Sequence, residues 1–341
     1  MPFLMLREVL VFCYLAIFKI VFNVFKLCPL QNKVAFVISF EENIINLYRE
    51  MNNENLPLKK VIICNNLVSR EFQMELKNTP IIPFKISNIF NWLFAIYNLS
   101  TSRIIIIDNY YAFLSAIEFK KYVECIQLWH AAGALKEFGL RDRSVRFRTK
   151  NAQQRFKKVY KKFNKIVVGS EEMAKIFMDS FGVQSLNILR TGIPRTDFFY
   201  EKKKAESFLI QDNPDFKSKK IILYAPTYRD GLLKNEKIHL DIKKMYQELK
   251  DDFILLIKMH PAVKTNINYE ALYPNFIYDY SSYKRVNELL LIADCLITDY
   301  SSIPFEYSLL KKPMIFFPYD LDNYRNQRGL IDNYEHIVPG I

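Results

Sequence analysis

An α/β protein with two doubly wound parallel-sheet domains, preceded by an amphipathic membrane helix, is the fold class this sequence predicts. Three observations carry it. Residues 3–28 form one long, mostly apolar stretch. After Pro29, short apolar runs alternate with longer amphipathic stretches, the signature of a parallel sheet covered on both faces. That pattern lapses into polar and charged residues near 185–215 and then begins again. The expected division is therefore 1–30, 31–195 and 196–341, and 341 residues suffice for two separate cores.

In the N-terminal stretch Glu8, Lys19, Asn23 and Lys26 fall on one side of a helix, with Arg7 near its start and Leu, Val, Phe and Ile around the rest. The longest uninterrupted apolar run, 9–18, is short of the roughly 20 residues that a span needs. A narrow polar strip of this kind suits a helix lying in the bilayer interface. A spanning helix and a core helix are the alternatives. No small-residue cleavage site follows, which argues against a secretory signal.

Strands are expected at 33–40, 60–64, 103–107, 125–129 and 165–169, then at 220–225, 253–258, 276–278, 295–298 and 313–317. Helices are expected at 88–99, 153–163, 171–181, 242–249 and 285–292. Ligands of such sheets bind at the carboxyl ends of the strands, in the expected arrangement within a cleft between the domains. Polar signals stand at four of those ends: Trp129-His130, Ala225-Pro226-Thr227, His260, and Asp299-Tyr300-Ser301-Ser302.

Of the four histidines, His130 and His260 are candidates for proton transfer or anion binding, and a hydrogen-bonded structural histidine is the alternative for each. His239 and His336 read as surface and structural residues. Small residues after His130 would let backbone approach a substrate, and Lys136 adds positive charge. Ser301 and Ser302 precede a helix start at Ile303-Pro304, a place where N–H groups and hydroxyls can hold a diphosphate without a metal; an ordinary N-cap is the alternative. Glu306, in the first turn, can accept from ribose hydroxyls or simply complement the helix dipole. Asp320-Leu321-Asp322 matches a DxD pattern, but reads better as a turn or cap than as a metal site.

The net charge of +12 favours anionic partners, and eleven Lys/Arg against one acidic residue lie in 141–165. Beside an interfacial helix this fits an anionic membrane surface; no nucleic-acid-binding motif is present. Five scattered cysteines without a CxxC pair fit a reducing compartment, and the lack of a Cys/His cluster with ligand spacing argues against a zinc site. No cofactor is expected, and the sequence leaves the oligomeric state open.

Taken in order, several blocks resemble the CDP-glycerol glycerophosphotransferase family: Ile126-Gln127-Leu128-Trp129-His130-Ala131-Ala132-Gly133-Ala134-Leu135-Lys136, Val168-Gly169-Ser170-Glu171, Thr191-Gly192-Ile193-Pro194-Arg195-Thr196-Asp197, Tyr224-Ala225-Pro226-Thr227-Tyr228-Arg229, Lys258-Met259-His260-Pro261 and Ala293-Asp294 through Ser301-Ser302. A last block runs from Lys312-Pro313 to Arg328-Gly329. The resemblance implies a GT-B fold of two Rossmann-like domains, the first handling the acceptor at the membrane and the second binding CDP-glycerol.

It further implies transfer of glycerol phosphate to a hydroxyl with release of CMP, at the cytoplasmic face of the cell membrane by a peripheral protein. His130 then resembles the general base and His260 a ligand of the donor diphosphate. Arg195, Thr227, Arg229, Ser301 and Ser302 resemble donor-binding positions, and Glu306 a ribose contact. The short chain with its own lipid-facing helix is more similar to the primase branch, whose acceptor is an undecaprenyl-diphosphate-linked disaccharide. A poly(glycerol phosphate) or ribitol phosphate polymerase, a hexosyltransferase using a UDP- or GDP-sugar, and a membrane-bound scaffold are the competing readings. Family members usually continue into C-terminal helices beyond the position of Pro339-Gly340-Ile341.

Overall fold

The computed structural model describes residues 2–65, 68–76, 79–200, 209, 213–229, 238–260, 263, 267–332 and 334–338. They fall into two compact units: Met1–His130 with Phe138–Arg195, and Ala131–Glu137 with Thr196–Ile341. Part of the expected joint, 201–208 and 210–212, lies outside the described residues, as do Pro261 and Pro339-Gly340-Ile341.

Unit 1 runs α1 (Pro2–Phe25), β1 (Gln31–Ile38), α2 (Glu41–Asn53), β2 (Lys59–Cys64), α3 (Arg70–Leu76), β3 (Ile81–Pro83), α4 (Ile89–Thr101), β4 (Ser102–Ile107), β5 (Glu124–Gln127), α5 (Lys150–Tyr160), β6 (Lys165–Val168), α6 (Glu171–Phe181) and β7 (Ile188–Arg190). Its seven strands lie in the order β3-β2-β1-β4-β5-β6-β7, and every pairing is parallel. The last six residues of β1 are all buried, as a central strand covered on both faces requires. One layer packs Val34, Phe36, Ile38, Ile62 and Ile106 against Ile44, Tyr48 and Met51 of α2 and Phe72 and Leu76 of α3. β3 and β7, not expected from the sequence, are three-residue edge strands; Pro83 at the end of β3 is tolerated because an edge needs no further donor.

Helix boundaries follow local chemistry. Asn88 caps α4 by accepting from Asn91 N, Ser170 caps α6 by accepting from Met173 N, and Gly182 ends α6 in the left-handed region at φ 65°. The basic helix expected at 153–163 is α5, three residues earlier, because Thr149 accepts from Ala152 N and starts it there.

Helix α1 combines two of its alternatives. Phe18 and Phe22 are fully buried. Phe18 packs on Trp92, Phe84 and Phe113 at ring separations of 5.8, 6.1 and 5.1 Å, and Phe25 meets Tyr97 at 5.6 Å. Leu6, Val9, Leu10, Phe12, Ile17, Ile20 and Val24 are exposed. Glu8 is not on an open polar strip: it pairs with Arg155 of α5 at 3.2 Å, whereas Lys19 and Asn23 are exposed as expected. Leu6–Phe25 is nonetheless long and apolar enough to cross a membrane, with mean hydropathy 2.0, because its charges lie near one end and at Lys19.

Unit 2 carries five parallel strands, β8 (Lys220–Tyr224), β9 (Phe253–Ile257), β10 (Ile277–Asp279), β11 (Cys295–Thr298) and β12 (Met314–Phe316), in the order β10-β9-β8-β11-β12. Alternate residues serve two buried layers: Ile221, Leu223, Ile254, Leu256 and Leu296 on one face, Ile222, Tyr224, Leu255, Ile257 and Ile297 on the other. Both units are doubly wound.

Candidate active site

In an open parallel sheet the strand order reverses at one point, where the connections leave in opposite directions and the carboxyl ends enclose a crevice. Unit 1 reverses between β1 and β4, and unit 2 between β8 and β11. The candidate residues gather around these two places.

In unit 1, β5 stops at Gln127, short of the Trp129-His130 ending expected for it. Leu128 N still bonds to Ile107 O at 2.8 Å, and the chain then turns at Trp129, whose φ is 59°. A left-handed tryptophan costs about 1–2 kcal/mol and persists only where its surroundings hold it. Here the fully buried Gln127 accepts from Trp129 N at 2.8 Å and donates to Asn109 O at 3.0 Å, while Asn43 of α2 donates to Trp129 O.

The turn sets the His130 imidazole against two rings, Trp129 at 4.5 Å and Phe40 at 4.8 Å. Its Nδ1 lies 3.1 Å from Asp108 O. A carbonyl only accepts, so Nδ1 carries the proton and the lone pair is on Nε2. Burial pushes the imidazole below its ordinary 6.5; the Asp108 carbonyl opposes the shift and the nearby Arg195 charge adds to it. Neutral at pH 7 with an available Nε2 lone pair, this group is suited to take a proton. Arg195, expected at the donor, donates from Nη1 to His130 O at 2.6 Å and so holds the main chain at His130.

Two expectations about the residues after His130 need correction. The segment Ala131–Glu137 belongs to unit 2. Gly133 is small for packing rather than for substrate access, since a Cβ there would run into the Phe305 ring. Lys136 bridges to Leu330, and its charge acts on His260.

His260 follows β9, is exposed, and lies 4.5 Å from the Tyr228 ring. Its pKa is lowered by desolvation first, then by Lys258 and Lys136. It therefore offers a neutral N–H beside two ammonium charges. His239 is exposed and stacks on Tyr319 at 3.8 Å, and His336 is exposed too.

At the unit 2 reversal, Asp299 is the organiser. Its Oδ1 accepts from Thr227 N at 2.8 Å and from Tyr300 N at 2.6 Å, and its Oδ2 from Arg229 Nη1 at 2.9 Å. Arg229 is buried, and its Nε and Nη2 form a two-point pair with Asp320, both at 2.8 Å. Burial works against its charge, but Asp320 and Asp299 outweigh that and raise its pKa. With its charge answered by two carboxylates, Arg229 is a framework group under the loop rather than an open anion ligand, a revision of the donor-binding expectation. Asp320 sits at an N-cap position, yet its carboxylate does not cap; it holds Arg229 and Tyr300.

Ser301 and Ser302 are half-buried at the start of helix Ile303–Tyr307, where Ser301 Oγ accepts from Ile303 N at 3.3 Å. That helix is only five residues long, so its dipole is small, and an anion there would rely on hydroxyls and N–H groups. Glu306 is buried within it. Thr227 Oγ1 is buried without a partner among the described residues, a group still owed a hydrogen bond.

The sequence reading missed Asp108, Asn43 and the organising part of Asp299 and Asp320. Asp108 had a signal of its own: it is the first polar residue after the run Ile104–Ile107, a strand end like the four that were noticed.

Comparison with known proteins agrees with the ordered blocks. The CDP-Glycerol:Poly(glycerophosphate) glycerophosphotransferase family profile matches residues 20–341. A teichoic acid glycerol-phosphate primase of Bacillus subtilis (strain 168) is 38% identical over 98% of this chain and 86% of its own length. A teichoic acid poly(ribitol-phosphate) polymerase of Bacillus spizizenii is 36% identical over 95% of this chain, which spans 51% of that protein. The solved structure of the wall teichoic acid polymerase TagF superposes with a TM-score of 0.76 at 24% identity, over 99% of this chain and 84% of that one, a likeness of fold. The chain thus has the GT-B-type architecture, and it belongs to the CDP-glycerol:poly(glycerophosphate) glycerophosphotransferase family as an enzyme of teichoic acid biosynthesis.

Proposed function

We propose that this enzyme is a primase: it transfers glycerol phosphate from CDP-glycerol to a hydroxyl of an undecaprenyl-diphosphate-linked disaccharide and releases CMP. The similarity to a glycerol-phosphate primase along nearly the whole chain carries this reading. His130 Nε2 takes the proton of the acceptor hydroxyl as its oxygen attacks the phosphorus that bears glycerol. The bond from that phosphorus to the CMP oxygen breaks, and CMP leaves with the electron pair. His260 donates to the diphosphate while Lys136 and Lys258 supply charge, the contribution phosphoryl transfer most needs. Thr227, Ser301 and Ser302 bind the donor, Glu306 accepts from its ribose, and Arg195 and Arg229 act through the groups they hold. In this reading unit 1 takes the acceptor and unit 2 the donor.

The test is product analysis with CDP-glycerol and a synthetic disaccharide-diphospholipid. CMP released in proportion to a product one unit longer is the expected result. A ladder of products would mean a polymerase, and turnover of a UDP-sugar instead would mean a hexosyltransferase.

The same reading places the protein on the cytoplasmic face of the cell membrane, held peripherally by α1. A helix packed along its length, from Glu8 on Arg155 to Phe25 on Tyr97, is supported as one lying along a surface. Its outward residues are mostly apolar, with Arg7, Lys19 and Asn23 among them, and α4 exposes Phe90 and Phe94. Each such side chain contributes about 1.5–3 kcal/mol when withdrawn from water. Ile17→Glu with Ile20→Glu is expected to lower partitioning onto phosphatidylglycerol vesicles by ~10-fold or more in a flotation assay. Unchanged flotation would exclude this face as the one that meets lipid.

A further inference from the structure

We infer that Asp108 is the positioning residue for His130, fixing the imidazole by two separate routes, one from its main chain and one from its side chain. The inference rests on the proposed role of His130 as base.

The first route is the 3.1 Å contact from His130 Nδ1 to Asp108 O, which selects the tautomer with the lone pair on Nε2. The second runs through Ser39 and Phe40, the two residues that follow β1. The Asp108 carboxylate accepts from Ser39 N at 2.9 and 2.8 Å, from Phe40 N at 2.7 Å and from Tyr111 Oη at 2.8 Å. Ser39 Oγ and Tyr111 Oη share a further bond of 2.9 Å. These bonds fix the main chain at Phe40, and Phe40 is the ring lying 4.8 Å from the imidazole. Phe40 is also the N-cap residue of α2 and makes no cap bond of its own, so the entry to that helix is held by Asp108.

The economy of the site supports the assignment. A fully buried carboxylate is costly to keep, and burial pushes this one up to about 6 against the donors around it. A fold needing only to close β1 onto β4 has the parallel ladder for that purpose, from Gln31–Ser102 to Val37–Ile107. What the carboxylate adds lies just beyond the ladder, at the two residues leading to the ring against His130.

Asp108→Asn tests this with almost no change in volume. An amide can present one acceptor atom to Ser39 N and Phe40 N, and its NH2 faces donors, so the two-point clamp is lost. The expected result is a kcat lower by ~10- to 100-fold, the scale of a small misplacement, with KM for CDP-glycerol within about twofold of the parent. The deciding readout needs no substrate. In protein labelled with 15N-histidine, the His130 resonances, assigned by their loss in His130→Ala, should report protonated Nδ1 in the parent and a tautomer mixture in Asp108→Asn.

Where Asp108→Asn does not fold, Tyr111→Phe removes one donor and the link to Ser39, and the same tautomer shift in smaller measure is expected. An unchanged tautomer in the folded variant overturns the inference, and so does an effect confined to KM. Full activity of His130→Ala would instead overturn the base assignment, leaving the tautomer result to stand by itself.

Discussion

Replacing His130 by alanine is expected to lower glycerophosphate transfer by ~100- to 10,000-fold, the usual contribution of a positioned general base. CDP-glycerol affinity, measured by calorimetry, should change little, because the groups proposed to bind the donor lie in unit 2. The parent enzyme's pH profile should carry the same signature. An imidazole held below 6.5 is already neutral at pH 7, so its acid limb should fall below that value. The sign is that of a base lost on protonation: kcat/KM falls as pH falls and levels off above. Asp108, pushed up to about 6, gains its proton in the same range and loses one acceptor for Ser39 and Phe40 as it does. The limb should therefore be steeper than one ionisation gives. A flat profile down to pH 5, with full activity in His130→Ala, would end the general-base account.

The second large effect is on stability. Arg229→Met is expected to cost about 3–5 kcal/mol, because it strands two charges that now face one another across the guanidinium. Asp299 is almost wholly buried, Asp320 is mostly so, and both lose their cation. The guanidinium also lies over the Tyr300, Tyr319 and Tyr324 rings at 5.0, 4.9 and 5.0 Å, contacts that a thioether only partly replaces. Urea unfolding should show the loss in the transition of unit 2, as a chain of two units need not unfold in one step. Combining Arg229→Met with Asp299→Asn and Asp320→Asn should recover part of it, since the stranded charges are then gone. A loss below about 1 kcal/mol would mean that the trio is hydrated, like an exposed ion pair.

The eight interior strands, each of four residues or more, show in the sequence as apolar runs; of the four three-residue edge strands β10 and β12 were legible and β3 and β7 were not, so length and edge position alone do not separate them. Helix starts were legible where a side chain caps them, as at Asn88 and Ser170, and the start at Thr149 was overlooked because charged residues surround it. The candidate histidines, His130 and His260, were visible because imidazoles are rare here and these two stand at strand ends. The groups that orient them were harder to see. Asp108, Asn43 and Gln127 act through main-chain partners far away in sequence, and no local pattern records which carbonyl or N–H a side chain will meet. Arg229 shows the converse. Its place in a motif suggested an open cation, and only the fold shows that Asp299 and Asp320, 70 and 91 residues away, already answer its charge.

The doubled character of α1 bears on how the protein can be handled. Trimming the first 25 residues to gain solubility would remove the outward Leu10, Phe12 and Ile20, but it would uncover Trp92, Phe84 and Phe113, on which Phe18 now sits. One greasy face would be exchanged for another, along with the Arg155 counter-ion. Recasting the outward side chains as polar ones, with the inward aromatics kept, is the route to a detergent-free preparation that the packing allows.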